Sequence, residues 1–314
     1  MQKRGAIDVL RRALDDTIAN WPLIALRLGE ALLFMLIAIA AIFIILVPIA
    51  VSIGFSAASI HSSADVEQAI TALLAKWMLL VWVFVAVMIL MVIFVAIHSF
   101  VEAGSARVYV DAERQAGPAD PGPRTRFQAF SMDRWMAGGL RGWWVVFWIY
   151  NLAWGLAGVV LLIPLIPTAA LMLVFTEHPE VLAGVGCLGI VVTLLLGVVV
   201  AIVTGVWTNR AIVDWAANGT SARASLASAR QAIRVDLGRH VLVTAAAIVI
   251  GMAGSSFFAS FGFFAAFGQA MDAHSTFNFV TMPIRLVGSL GSTAFSAIVT
   301  SWYVAAYAAL AVEK

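Results

Sequence analysis

Three histidines stand beside acids in the segments between long apolar runs: His61 near Asp65 and Glu67, His178 between Glu177 and Glu180, and His274 near Asp272. Three imidazoles gathered by a threefold arrangement would suit zinc or another transition metal. They are the chain's only candidates for a metal site, and weak ones, because their spacing follows no metal-ligand pattern. The expectation is therefore of no metal and no cofactor. The sequence holds no phosphate loop, no H-E-x-x-H, no G-x-S-x-G and no paired Cys/His motif, so no catalytic residue is assigned and the chain reads as non-enzymatic. Its one cysteine, Cys187, lies inside an apolar run and forms no intrachain disulfide.

The elements that would position such residues are membrane helices. Of 314 residues, 62% are apolar and 11% charged, and mean hydropathy is +0.99. Soluble domains carry about 25% charged residues, so soluble enzymes, disordered chains and secreted disulfide scaffolds are excluded. Crossing about 30 Å of hydrocarbon takes roughly 20 apolar residues. Six segments qualify, at about 31–54, 79–101, 143–166, 182–206, 241–267 and 287–310. The third continues past Pro164 and Pro167 to Phe175, so it is either one kinked helix or a helix plus a short outer segment.

Basic residues set the orientation. Lys3, Arg4, Arg11, Arg12 and Arg27 precede the first span, Arg107, Arg114, Arg124, Arg126, Arg134 and Arg141 follow the second, and Arg210, Arg223, Arg230, Arg234 and Arg239 follow the fourth. With Lys314 they leave only Lys76 and Arg285 for the opposite side. By the positive-inside rule both termini are cytoplasmic. Trp21, Trp135, Trp143, Trp144, Trp207, Trp215 and Trp302 lie at inner span boundaries and read as interfacial anchors. The basic residues are spread through membrane-flanking segments, which fits lipid headgroups rather than nucleic acid.

A weak repeat divides the single membrane domain, 1–314, into 1–117, 118–220 and 221–314. Each unit opens with a basic amphipathic segment and continues as a two-span hairpin. In the first, Ile7, Leu10, Leu14, Ile18 and Trp21 share one helical face; in the third, Leu226, Ala229, Ile233 and Leu237 do so. The second, around Phe127 and Phe130, is shorter and follows a Pro/Gly linker. Such segments lie in the membrane interface, which assigns Arg4, Arg11, Arg12, Arg124, Arg126, Arg223, Arg230 and Arg234 to lipid headgroups. The pattern R-x-x-V-D closes two hairpins, at Arg107–Asp111 and Arg210–Asp214; ion pairs of this spacing on an exposed surface contribute a few tenths of a kcal/mol, about what trims a helix end. The expected fold is all-α: six transmembrane helices in three pseudo-repeated hairpins, each preceded by a cytoplasmic interfacial helix.

Inside the spans ionisable residues are nearly absent. Glu30 and Glu102 stand at span ends, with Arg27 and Glu30 spaced to pair, while Asn151 is the deepest clear polar residue. Proton relay and voltage sensing are therefore not expected. Pro48 and Pro164 break spans one and three at comparable positions, a feature that marks substrate sites in some transporters and elsewhere is a plain kink. Small residues at intervals of four, Gly251 and Ser255 in span five and Gly288, Ser292 and Ser296 in span six, predict close helix packing.

The order of an interfacial helix, a span pair, Gly104-Ser-Ala-Arg-Val-Tyr-Val-Asp-Ala-Glu-Arg-Gln-Ala-Gly117, Phe127 and Phe130, then Ala211-Ile-Val-Asp-Trp-Ala-Ala-Asn-Gly219 before a basic helix resembles a broad set of bacterial six-span proteins. The set includes the membrane domain of some glycerophosphoryl diester phosphodiesterases and its stand-alone relatives. The resemblance implies fold and residence in the bacterial inner membrane, and transfers no catalytic residue. Two functions compete: an accessory or scaffold subunit that binds lipids, another membrane protein or itself, and a transporter or channel for a lipid or small apolar molecule. A polar centre flanked by Asn151, Ser255, Ser292 and Ser296 would favour transport.

Overall fold

The computed structural model describes residues 4–53, 77–117, 123–271 and 277–313, and among these every regular element is helical. A short helix α1 (Ala6–Ala19) leads into α2 (Pro22–Ile53) and α3 (Trp77–Ala116). A single 3-10 turn (Arg124–Phe127) precedes α4 (Met132–Val174) and α5 (Pro179–Asn218). A second short helix, α6 (Ala222–Val235), leads into α7 (Leu237–Met271) and α8 (Phe277–Val312). Helices α2, α3, α4, α5, α7 and α8 are each long and apolar enough to cross a membrane. The protein is a multi-pass membrane protein.

Span three is one helix. Although Pro164 and Pro167 each remove a backbone donor, α4 runs through both to Val174, and the Thr168 hydroxyl donates to the Pro164 carbonyl at 2.7 Å. Pro48 likewise lies inside the continuous α2. Neither proline breaks its span, so neither marks an unwound substrate site. At 43 residues α4 is about 65 Å long, twice the hydrocarbon thickness, and its first turns project beyond the apolar layer. The amphipathic segment expected around Phe127 is only the four-residue turn, with Phe127 buried.

Local signals account for the ends. Ser131 caps α4 by accepting from the Arg134 amide at 3.2 Å, and Ser221 caps α6 by accepting from the Ala224 amide at 3.4 Å. Glycines in the left-handed region close α3 and α5: Gly117 has φ +70° and Gly219 has φ +67°. A β-carbon at either position would be strained.

The chain forms two compact units, residues 1–25 with 99–314, and residues 26–98. In the smaller unit Phe34 meets Phe94 edge to face at 4.8 Å, and Glu30 pairs with His98 at 2.7 Å. In the larger unit the most extensive helix contacts join α7 to α8 and α4 to α5, while α8 also packs on α1 and α5.

Glycines set the helix crossings. On α4, Gly138 and Gly142 are four apart; a β-carbon on Gly138 would lie 3.0 Å from the Arg107 Cβ, while Gly142 faces the indole of Trp215. Phe100 packs over Gly139. Between α7 and α8 the exchange is reciprocal, Gly254 receiving Phe295 and Gly291 receiving Phe258. Of the residues expected to pack these helices, Gly288 is buried, Gly251 and Ser292 are half-buried, and Ser255 and Ser296 are exposed. A β-carbon on Gly251 would stand 3.7 Å from Val299 Cγ1, and the tightest approaches are at Gly254 and Gly291, where an aromatic ring fills the notch.

Candidate functional site

Ionisable residues are buried in number outside the six apolar runs, which themselves hold nearly none. They gather where α1, the C-terminal ends of α3, α5 and α8, and the start of α7 lie. Arg12, Asp16, Glu113, Arg210, Asp214 and His240 are all buried there.

The first cluster seats α1. The Arg12 Nε donates to Glu113 Oε2 at 2.7 Å and its Nη2 to the Gly117 carbonyl at 2.6 Å, and the guanidinium stands 4.7 Å from the Phe127 ring centroid. Arg12 is thus held inside the protein, which corrects its assignment to lipid headgroups. Asn20 ties the incoming linker down: its Nδ2 donates to the Phe127 carbonyl and to Asp16 Oδ1, both at 2.7 Å, while its Oδ1 accepts from the Ala129 and Phe130 amides at 3.0 and 2.8 Å. One side chain thereby satisfies three backbone groups of a segment that has no ladder of its own.

Asp16 is the exception to this pairing. It is fully buried, lies in the fields of both Arg12 and Glu113, and its Oδ2 has no hydrogen-bond partner among the described residues. Burial lifts its carboxyl well above the ordinary value of 3.8, and the Glu113 charge lifts it further, against the opposing pull of Asn20 and Arg12. A raised acid keeps its proton in the folded state after the unfolded chain has lost it. Stability is then undiminished below the unfolded value and falls as pH rises from there towards the folded one. Over that window we expect melting in detergent to weaken by up to about 1.4 kcal/mol per pH unit, and Asp16→Asn to remove this dependence. A variant with the wild-type pH profile would show that Asp16 is ionised in the fold.

The second cluster joins α5, α7 and α8. Arg210 pairs with Asp214 at 3.0 Å, and the pair is buried rather than surface trim; its counterpart Arg107–Asp111 is looser, 3.3 Å, and part-exposed. Arg239 donates to Asp236 Oδ2 at 2.6 Å, to Glu313 Oε2 at 2.5 Å and to the Arg4 carbonyl at 3.0 Å. The Thr244 hydroxyl lies 3.1 and 3.0 Å from the Tyr303 and Tyr307 hydroxyls. Arg107 and Arg114 donate to the Ala216 and Ala217 carbonyls at 2.8 and 2.5 Å, placing cations at the negative end of α5.

The tryptophans divide. Trp21, Trp143 and Trp144 are exposed, as anchors would be. Trp135 and Trp215 are buried, and Trp207 and Trp302 donate to the Leu226 and Leu10 carbonyls at 2.8 and 2.9 Å. Those four hold the short helices and the helix crossings instead.

Among the remaining headgroup candidates, Arg11, Arg126, Arg223, Arg230 and Arg234 are exposed. Arg124 pairs with Asp15 at 2.7 Å yet stays largely exposed, and Arg4 lies 3.9 Å from Glu313. Of the histidines weighed as metal ligands, His178 is exposed and occupies the N-cap position of α5 without a side-chain capping bond; His61 and His274 lie outside the described residues. Among the described residues no three His, Cys, Asp or Glu side chains converge on a metal-sized site. Arg12–Glu113 and Arg239–Glu313 tie separate helices together, whereas Asp16 Oδ2, Arg210 Nε and Nη1 and Asp214 Oδ2 are buried without a hydrogen-bond partner among the described residues. No family model, curated protein or solved structure matches this chain.

Proposed function

We propose that the protein is a non-enzymatic accessory or scaffold subunit of the bacterial inner membrane, binding lipids and partner helices along its outer surface. The observation that carries this reading is the inverted burial of α1. That helix turns Arg12 and Asp16 inward and leaves Ile7, Leu14, Ile18 and the following Trp21 exposed, Ile7 at 80% and Trp21 at 64%. A short helix that buries charge and presents an apolar stripe has a second apolar medium to meet, and the membrane interface supplies one. Exposed Arg11 beside the stripe, and Arg223, Arg230 and Arg234 on the outer face of α6, would meet anionic headgroups at about 1 kcal/mol each. In α6 the apolar face, Leu226 and Ala229, is buried, so its membrane contact is through charge.

The basic bias of the sequence places this end of the bundle and both termini in the cytoplasm. The recurrence of R-x-x-V-D in two helices that each close on a left-handed glycine supports three repeated hairpins. Bacterial residence rests on the sequence resemblance.

Transport is the weaker reading. Asn151, Ser255 and Ser296, which would line a polar centre, are exposed on the outside of their helices. Native mass spectrometry of protein released gently from its own membrane decides between the two. A complex that resolves into the 33.5 kDa chain plus further polypeptide or tightly held lipid is expected. A bare chain, or one carrying a single defined small solute, would overturn the scaffold reading.

A further inference from the structure

Asn151 lies in the middle of an apolar, outward-facing side of α4. The buried residues of this helix, Gly142, Val146, Ile149, Ala153 and Ala157, occupy one side, and Trp144, Trp148, Asn151, Trp154, Gly155 and Gly158 stand exposed on the other. Asn151 is seven residues past Trp144, about 10 Å further along the helix, inside the third apolar run and between the exposed indoles of Trp148 and Trp154. Its Nδ2 donates to the Phe147 carbonyl at 2.7 Å. That bond uses one of two hydrogens, and among the described residues nothing partners Oδ1. In lipid no water satisfies the remainder, and an unsatisfied amide there is costly.

The glycines beside it differ from the others of this helix. Gly138, Gly139 and Gly142 each receive a neighbouring side chain, whereas a β-carbon on Gly155 or Gly158 would meet nothing within 4 Å. Packing within the chain accounts for the first three and not for the last two.

We propose that this face of α4 binds the same face of a second copy of the chain. A primary amide is its own complement, offering one donor and one acceptor in the positions its equivalent requires. Two copies inserted in the same sense are related by a twofold axis along the membrane normal, which sets the two α4 helices parallel and brings Asn151 opposite Asn151. Each Nδ2 then keeps its bond to Phe147 and gives its second hydrogen to the partner's Oδ1. Gly155 and Gly158 allow the backbones to approach closely just beyond that pair, and the indoles of Trp148 and Trp154 flank it. An isologous interface of this kind closes on itself and does not propagate.

This deepens the scaffold reading by naming one partner helix, and rests on it. The test is oxidative cross-linking in native membranes, in a Cys187→Ala background that removes the chain's one thiol. Gly155→Cys and Gly158→Cys are expected to give a covalent species of about twice 33.5 kDa. Leu156→Cys and Ile163→Cys, exposed on a different side of the same helix, are expected to give almost none. Adding Asn151→Leu to Gly155→Cys should weaken association about five- to thirty-fold, from the 1–2 kcal/mol typical of such amide pairs, and Asn151→Gln should restore part of it. Equal cross-linking on both sides, or none at either, overturns the proposal. If cross-linking fails while native mass spectra carry a different polypeptide, the second-copy assignment falls and the scaffold reading stands.

Discussion

Glu113→Ala is expected to destabilise the protein by about 3–5 kcal/mol, the cost of breaking a buried ion pair by removing one member. Both side chains are nearly inaccessible, 2% for Arg12 and 1% for Glu113, and the contact is a direct 2.7 Å bond. After truncation the guanidinium keeps the Gly117 carbonyl and the Phe127 face but loses the carboxylate that neutralises it. Asp16, deprived of its like-charged neighbour and still within the field of Arg12, will ionise more readily. Hence the variant should lose stability and also show a shallower fall of melting temperature with rising pH. Arg12→Met with Glu113→Leu should recover most of the loss, because an apolar pair of similar volume removes the desolvation cost together with the attraction. Melting in one detergent across this cycle measures the coupling; a single variant as stable as wild type would mean that water reaches the pair.

That pair also marks where sequence patterning stops being informative. Long apolar runs determine helix existence, and all six expected spans are helices, because a single segment can satisfy its own backbone in lipid only as a helix. Hydropathy weighs each residue by type and neighbours in sequence. Arg12 and Glu113 are 101 residues apart, so neither could be recognised as neutralised, and both read as wet. The same blindness hid the other side of α1. Its apolar stripe was legible and is exposed, but that Arg12 and Asp16 on the opposite face are buried depends on Glu113 and on the Phe127–Phe130 segment that Asn20 fastens. Asn20 carries no local signal beyond a helix-ending preference. Tryptophan position alone could not separate an anchor such as Trp144 from Trp215, whose ring fills the notch over Gly142. One signal was present and unused: Gly138 and Gly142 form a G-x-x-x-G pair, the spacing that lets helix backbones meet.

Gly104→Ala tests how far those crossings are determined by backbone contact. The added β-carbon would stand 2.7 Å from the Trp135 carbonyl oxygen and 2.7 Å from two atoms of its indole. The ring could swing, but its other face is held edge to face against Phe100 at 5.3 Å. The carbonyl belongs to the first turn of α4 and cannot move without the helix. Relief therefore requires α3 and α4 to separate, and Gly138, seated over the Arg107 stem and the Gly104 Cα, would lose its contacts as well. Overpacking of this kind costs about 1–3 kcal/mol, and Gly104→Leu should cost more. Gly155→Ala on the same α4, where the new methyl meets nothing, is expected to be neutral or stabilising by up to about 1 kcal/mol through helix propensity alone. Both are read as melting shifts in detergent dilute enough to hold the chain monomeric. If the two alanines behave alike, the crossing at Gly104 is not a tight contact and the glycines reflect composition rather than packing. A loss confined to Gly104 would identify the α3–α4 crossing as a tight backbone contact.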